Sequence, residues 1–227
     1  MAELDLSKIK HVALKEGQYF REEIKKVQIV LHHTAGNSSA PATIQNWNTD
    51  DRGRIATCIV VSGKGQSTGT YDGEICQCFS SKYWAYHLGL KQDVFRAQGV
   101  PYKSIDPIAI GIEICNWGPL EKRGDKFYNY VDREVPVDQV CTLDKPYKGY
   151  LHYHAYTDAQ IESVRQLLVY WGKVHNIPLA YNEQDMWTVS KNALSAVPGV
   201  YTHNSYRKDK SDISPQPKMI AMLKTLK

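Results

Sequence analysis

A chain of 227 residues is long enough for one large domain or two small ones, and at this length roughly seven-tenths of the unfolded surface can be buried. Its 28 basic and 24 acidic residues leave a formal net charge of +4, too weak to argue for nucleic acid, which asks for a clustered basic face. Five cysteines, an odd number, exclude a complete disulfide framework, and no apolar run reaches the length of a transmembrane helix.

The start, Met1-Ala2-Glu3-Leu4, lacks a basic segment followed by an apolar run, so the expectation is a soluble cytosolic species without a signal peptide. Residues 27–33 (VQIVLHH) are rich in β-branched side chains and read as a short buried strand ending at two histidines. Asn37, Ser38 and Ser39 offer caps for a helix in which Pro41 suits the first turn and Ile44 and Trp47 share an apolar face. Thr57–Ser62 reads as a second buried strand, and a turn at Tyr71-Asp72-Gly73-Glu74 leads into a third at Ile75–Phe79. Cys76 and Cys78 alternate along it and share a face. They read as small apolar interior residues or, alternatively, as half of a second metal site.

The run Ile108–Cys115 (IAIGIEIC) is the most apolar in the chain and carries one acid, Glu113. An ionised carboxylate is costly in such a strand unless it is paired or used. Two readings stand: a functional acid, or one turned to an exposed sheet face. Residues 119–156 change character, being charged and rich in tyrosine. They read as a surface excursion with a turn at Lys122–Asp125 and a hairpin through Phe127–Val131 and Arg133–Val137. Thr157 and Gln160 form a capping box for a long helix with Ile161, Val164, Leu168 and Trp171 on one side. His175 reads as a helix-terminal residue before the stop at Asn176-Ile177-Pro178. A last helix spans Pro217–Leu226 with Ile220 and Leu223 inward. Strands interleaved with helices, without repeats or a linker, predict a single α/β domain over 1–227, with a central mixed sheet flanked by helices.

Two imidazoles and a carboxylate are the ligand set of a catalytic zinc site with its fourth position open. His32, His203 and Asp212 supply such a set, although their spacing is no standard zinc signature.

Leu31-His32-His33-Thr34-Ala35, Ala109–Glu113 and Thr202-His203 with Lys210-Ser211-Asp212 occur in an order that resembles the zinc-dependent N-acetylmuramoyl-L-alanine amidases of the amidase-2 superfamily. The resemblance covers roughly residues 25 to 225. It implies one zinc ion per chain on His32, His203 and Asp212, with His33 on the opposite face of the strand and Asp209 as a competing ligand. It further implies Glu113 as proton shuttle, Lys210 as stabiliser of the developing oxyanion, and His87, Asn116 and Trp117 at the substrate groove. Some relatives carry a tyrosine on the second strand where this chain reads Ala56-Thr57-Cys58, a departure that leaves acid–base work to Glu113. The His203-to-Asp212 spacing differs by about one residue from the familiar ones, so a remodelled ligand loop is expected.

The function implied is hydrolysis of the amide between N-acetylmuramic acid and L-alanine in peptidoglycan, in the manner of a phage or prophage endolysin acting at the wall after membrane permeabilisation. The alternatives are a cytosolic enzyme recycling muropeptides and a non-catalytic peptidoglycan-binding receptor. The receptor reading is disfavoured because Asp212, Lys210 and Glu113 are all present. The expected partner is peptidoglycan or a muropeptide, with no nucleic acid and no stable membrane insertion, and no oligomeric state is indicated.

Overall fold

The β-branched run at the head of the chain becomes the middle of a mixed sheet. The computed structural model describes residues 3–36, 39–65 and 71–226. In chain order its first elements are β1 (Lys10–His11), β2 (Gln28–His33), α1 (Ala40–Asn48), β3 (Ile59–Val61), β4 (Ile75–Gln77), α2 (Gln92–Ala97) and β5 (Ala109–Ile114). A second group follows: β6 (Pro119–Arg123), β7 (Lys126–Tyr128), β8 (Glu134–Val135), β9 (Val140–Tyr147) and β10 (Tyr150–His154). The chain closes with α3 (Asp158–His175), α4 (Glu183–Trp187), α5 (Lys191–Leu194), β11 (Gly199–Thr202) and α6 (Pro217–Lys224).

The main sheet has the order β1-β4-β3-β5-β2-β11. β2 runs parallel to both β5 and β11, β3 runs parallel to β5, and β4 is antiparallel to β3. With partners on both edges and cores on both faces, every residue of β2 is buried, which is why its sequence is apolar without alternation. Ile29 and Leu31 join the larger core with α3 and α6, whereas Val30 joins a smaller one on the opposite face with Leu88, Phe95 and Tyr201. Burial of each such side chain contributes about 1.5–3 kcal/mol. The expected central mixed sheet flanked by helices is therefore the fold.

The capping box at α3 forms as its sequence predicts. Gln160 N–H donates to Thr157 Oγ1, and Gln160 Oε1 accepts from Thr157 N–H. Asn176 closes the helix in the left-handed conformation. His175, at its end, pairs with Ser81 Oγ at 3.2 Å instead of serving backbone carbonyls. Ser39 caps α1 and Pro41 lies in its first turn; Asn37 and Ser38, the other cap candidates, fall outside the described residues. In α6 the inward face is Met219, Met222 and Leu223, and Ile220 is only half-buried. All five cysteines are free thiols and four are buried, consistent with interior packing.

Residues 119–156 are more than a loop with one hairpin. They form an antiparallel sheet of order β8-β7-β6-β10-β9, with the turn at Gly124 joining β6 to β7. Leu120, Phe127 and Val135 make its small core, against which Trp117 packs. Its tyrosines divide: Tyr153 and Tyr156 are buried, and Tyr130 and Tyr150 are exposed.

Candidate metal centre

Parallel pairing brings the distant histidines together. His32 is the register partner of Glu113, and Thr202 is the partner of Leu31, so His203 emerges beside His32 at the carboxyl end of β11. Side chains in register on parallel neighbours share a face, which aims His32 and Glu113 into the same cleft and turns His33 to the other side. Clefts at the carboxyl ends of parallel strands are the usual binding position in α/β sheets.

After Thr202 the chain makes one turn of 3-10 helix, His203–Ser205, capped reciprocally by Thr202 and Ser205. The buried Asn204 amide donates to the carbonyls of Asp212 and Ile213 at 3.0 and 2.9 Å, tying the following loop back on itself. That loop delivers Asp212. Its Oδ2 lies 2.9 Å from His203 Nδ1 and 3.2 Å from His32 Nδ1, and the two nitrogens are 3.1 Å apart.

Three donor atoms crowded this closely suit a single small cation. Tetrahedral zinc with bonds of about 2.0–2.1 Å separates its ligand atoms by roughly 3.3–3.4 Å. Among the described residues these three are the group of histidine, cysteine and acid side chains whose donor atoms can hold a metal ion together. The remaining ring nitrogens have partners of their own. His203 Nε2–H donates to the Leu88 carbonyl at 3.1 Å, and His32 Nε2 meets His87 Nδ1 at 2.9 Å. Because a carbonyl only accepts, the Leu88 contact leaves the Nδ1 lone pair of neutral His203 free for a metal. Burial lowers the His32 pKa to about 4, more than the Asp212 carboxylate raises it, so the ring is neutral at ordinary pH. Burial also opposes ionisation of Asp212, but the two imidazoles prevail and hold its carboxyl far below the usual range.

Glu113 and Lys210 line the same cleft of about 410 Å³. Burial, reinforced by Asp212, pushes the Glu113 carboxyl well above its ordinary value, and Lys210 pulls the other way. Asp209 also lines the cleft but is bound to Arg207, Oδ2 to Nη2 at 2.6 Å and Oδ1 to Nε at 3.1 Å. Its carboxylate is occupied elsewhere. Thr57 does not stand in for a phenol, because its hydroxyl donates to the Ile59 carbonyl at 2.8 Å. Its methyl fills the space over Gly111, where an added Cβ would meet Thr57 Cγ2 at 2.5 Å.

Of the residues expected at the substrate groove, one stands elsewhere. Asn116 is buried, its amide spent on the His154 and Ala155 carbonyls and its Oδ1 on Gly118 N–H. It fastens β5 to the second sheet and has nothing left for a substrate. His87 lines the cleft with 5% of its side chain exposed and also backs His32. Asp106 Oδ1 holds that segment by accepting from the His87 and Leu88 N–H groups at 2.7 and 2.9 Å. No local motif marks Asp106 in the sequence, since it acts through backbone from a distant turn. Trp117 lines an adjoining cleft. His33 pairs its Nδ1 with Tyr156 OH at 3.0 Å on the opposite face, as alternation requires.

The contact between His87 and His32 predicts that His87→Ala weakens zinc binding by about 10–100-fold, the usual effect of removing a partner that orients a ligand. Competition titration against a chromophoric chelator measures it. Unchanged affinity would show that the backbone alone orients His32.

Residues 25–217 match the family model described as N-acetylmuramoyl-L-alanine amidase, amidase-2. Among solved structures, the fold is similar to the endolysin N-acetylmuramoyl-L-alanine amidase LysCS from Clostridium intestinale URNW, with TM-score 0.53 and 14% identity over 97% of this chain and 95% of that one. The amidase LysC from the same organism gives TM-score 0.52 at 14% identity, covering 96% of this chain and 95% of that one. The catalytic domain of XlyA gives TM-score 0.51 at 14% identity, covering 96% and 97%. A search of curated proteins returns no match. These structural likenesses carry the fold, while the family match runs from ahead of the strand bearing His32 to the start of α6. The chain belongs to the N-acetylmuramoyl-L-alanine amidase family.

Proposed function

We propose that this chain is a zinc-dependent peptidoglycan amidase. It cleaves the amide between the lactyl group of N-acetylmuramic acid and L-alanine, with one zinc held by His32, His203 and Asp212. The observation that carries this reading is the convergence of His32 Nδ1, His203 Nδ1 and Asp212 Oδ2 to within 3.2 Å of one another. Zinc in such a site supplies Lewis-acid polarisation of the amide carbonyl and acidifies water. Glu113, as its carboxylate, takes the proton from the attacking water and returns it to the departing amine nitrogen. Lys210 offsets negative charge on the former carbonyl oxygen, an effect worth about 3 kcal/mol in oxyanion holes. Burial and the neighbouring Asp212 carboxylate favour the protonated form of Glu113, the form that returns the proton.

The biological role proposed is that of a phage or prophage endolysin. It is supported by the likeness of fold to the endolysin amidase LysCS. No helix among the described residues is long and apolar enough to cross a membrane. Digestion of purified sacculi, followed by mass analysis, tests the reading. Chelation is expected to abolish release of peptides beginning with L-alanine, and added zinc to restore it. Chelator-resistant cleavage, or cleavage within the stem peptide, would overturn the proposal.

A further inference from the structure

Asp106 opens a turn of 3-10 helix, Asp106–Ile108, that leads into β5, and its side chain is buried behind the metal centre. From there it reaches both imidazoles of that centre, each through one intermediary. Its Oδ1 accepts from Leu88 N–H at 2.9 Å, and the Leu88 carbonyl accepts from His203 Nε2–H at 3.1 Å. The same Oδ1 accepts from His87 N–H at 2.7 Å and faces His87 Nε2 across 4.0 Å, while His87 Nδ1 meets His32 Nε2 at 2.9 Å. We propose that Asp106 is a positioning residue of the metal centre, selecting through His87 the tautomer of His32 whose Nδ1 is bare. The inference deepens the zinc reading and rests on it.

The contact between His87 and His32 runs in either direction as far as the two rings are concerned, because each nitrogen can donate or accept. The Asp212 carboxylate, 3.2 Å from His32 Nδ1, favours a proton on that nitrogen, which is where a metal must bind. A counterweight has to come from behind. His87 Nε2 is sealed from solvent and makes no hydrogen bond. Burial holds the His87 pKa well below its ordinary value, so the ring is neutral and one of its nitrogens is bare. At 4.0 Å the Asp106 oxygen is too far for a hydrogen bond, but its field is weakly screened in a buried site. That field favours N–H at His87 Nε2 over a lone pair. With the proton there, His87 Nδ1 accepts, His32 Nε2–H donates, and the His32 Nδ1 lone pair is left for a cation.

Neither partner has much freedom to evade this choice. The His87 ring packs over Gly111 of β5, where an added Cβ would meet His87 Nδ1 at 3.4 Å. Burial raises the Asp106 pKa, and the His87 and Leu88 N–H groups oppose that while fixing where the carboxylate points. A carboxylate behind a metal-binding imidazole is a common way to set its tautomer and basicity. Here a second imidazole is interposed, and the same carboxylate also steadies the carbonyl behind His203.

The test reads ring tautomers and metal affinity in the full chain. Heteronuclear NMR of the imidazole nitrogens in the metal-free parent is expected to show His87 protonated at Nε2 and bare at Nδ1. Asp106→Asn removes the charge, and its amide oxygen can still accept from both backbone N–H groups, so the metal-free variant should melt with the parent. Its zinc Kd, from competition with a chromophoric chelator, is expected to rise about tenfold or more. In a His87→Ala background the same substitution should change Kd by less than about twofold, since the intermediary is gone. An unchanged Kd in the single variant, equal losses with and without His87, or a His87 proton on Nδ1 would each overturn the inference. A merely structural Asp106 would lower the melting temperature and weaken both backgrounds alike, and that pattern overturns it too. The NMR result on the parent stands even if the variant fails to fold. A parent that binds no zinc in elemental analysis would overturn the zinc reading and this inference with it, whereas a zinc-binding parent with the wrong His87 tautomer overturns this inference alone.

Discussion

Asp212→Ala is expected to strip zinc from the chain and reduce hydrolysis to background, whereas Asp209→Ala is expected to keep both. The two acids are three residues apart on one loop and line the same cleft, so composition does not separate them. Their partners do. Asp212 is buried with Oδ2 against both imidazole nitrogens, and removing it leaves two neutral donors of the three that a catalytic zinc site needs. Asp209 is mostly exposed and clamped by Arg207, so its loss frees a surface arginine and little else. Elemental analysis of the purified variants reads the metal directly, and release of L-alanine amino groups reads the chemistry. Zinc retained by Asp212→Ala and lost from Asp209→Ala would reverse the ligand assignment.

Glu113→Gln is expected to leave zinc content normal and to lower turnover by about 10²–10⁴. The amide keeps the shape of the carboxyl but neither accepts nor returns the proton. A second readout follows from burial. The folded-state pKa of Glu113 is raised, chiefly by desolvation, so in the metal-free protein this group costs no stability below the unfolded carboxylate value near 4.3. As pH rises above that value the unfolded chain ionises first, and stability falls until the folded-state pKa is passed. Metal-free Glu113→Gln should therefore melt higher than its parent at neutral pH, with the difference vanishing below about pH 4. Near-normal turnover would leave Glu113 a structural acid. An unchanged melting difference across pH would remove the desolvation argument itself.

Local signals carried much of the fold. The apolar runs at 27–33 and 108–115 became β2 and β5, since strands buried on both faces need no polar alternation. Thr157 and Gln160 located the start of α3 because a capping box is a contact between residues three apart. β11 gave no comparable signal: four residues flanked by short helices acquire strand geometry only by pairing with β2. The second sheet was legible only as a change in composition, since its order β8-β7-β6-β10-β9 depends on strands meeting across turns and bulges.

At the site, the sequence by itself supplied side chains of a suitable type: two imidazoles and a carboxylate in His32, His203 and Asp212, and an acid, Glu113, set in an apolar strand. Side-chain chemistry is a property of each residue, and family order preserves it. Tertiary structure decided which atoms meet. His87 lines the cleft and backs His32 as well, and Asn116 is a buried clasp instead of a groove residue. Arg207 engages the Asp209 carboxylate, and the second sheet sets a further cleft beside His32, His203 and Asp212. Each depends on the pairing of strands far apart in the chain and on what burial costs an unpaired polar group. Neither quantity is written in any local run of residues.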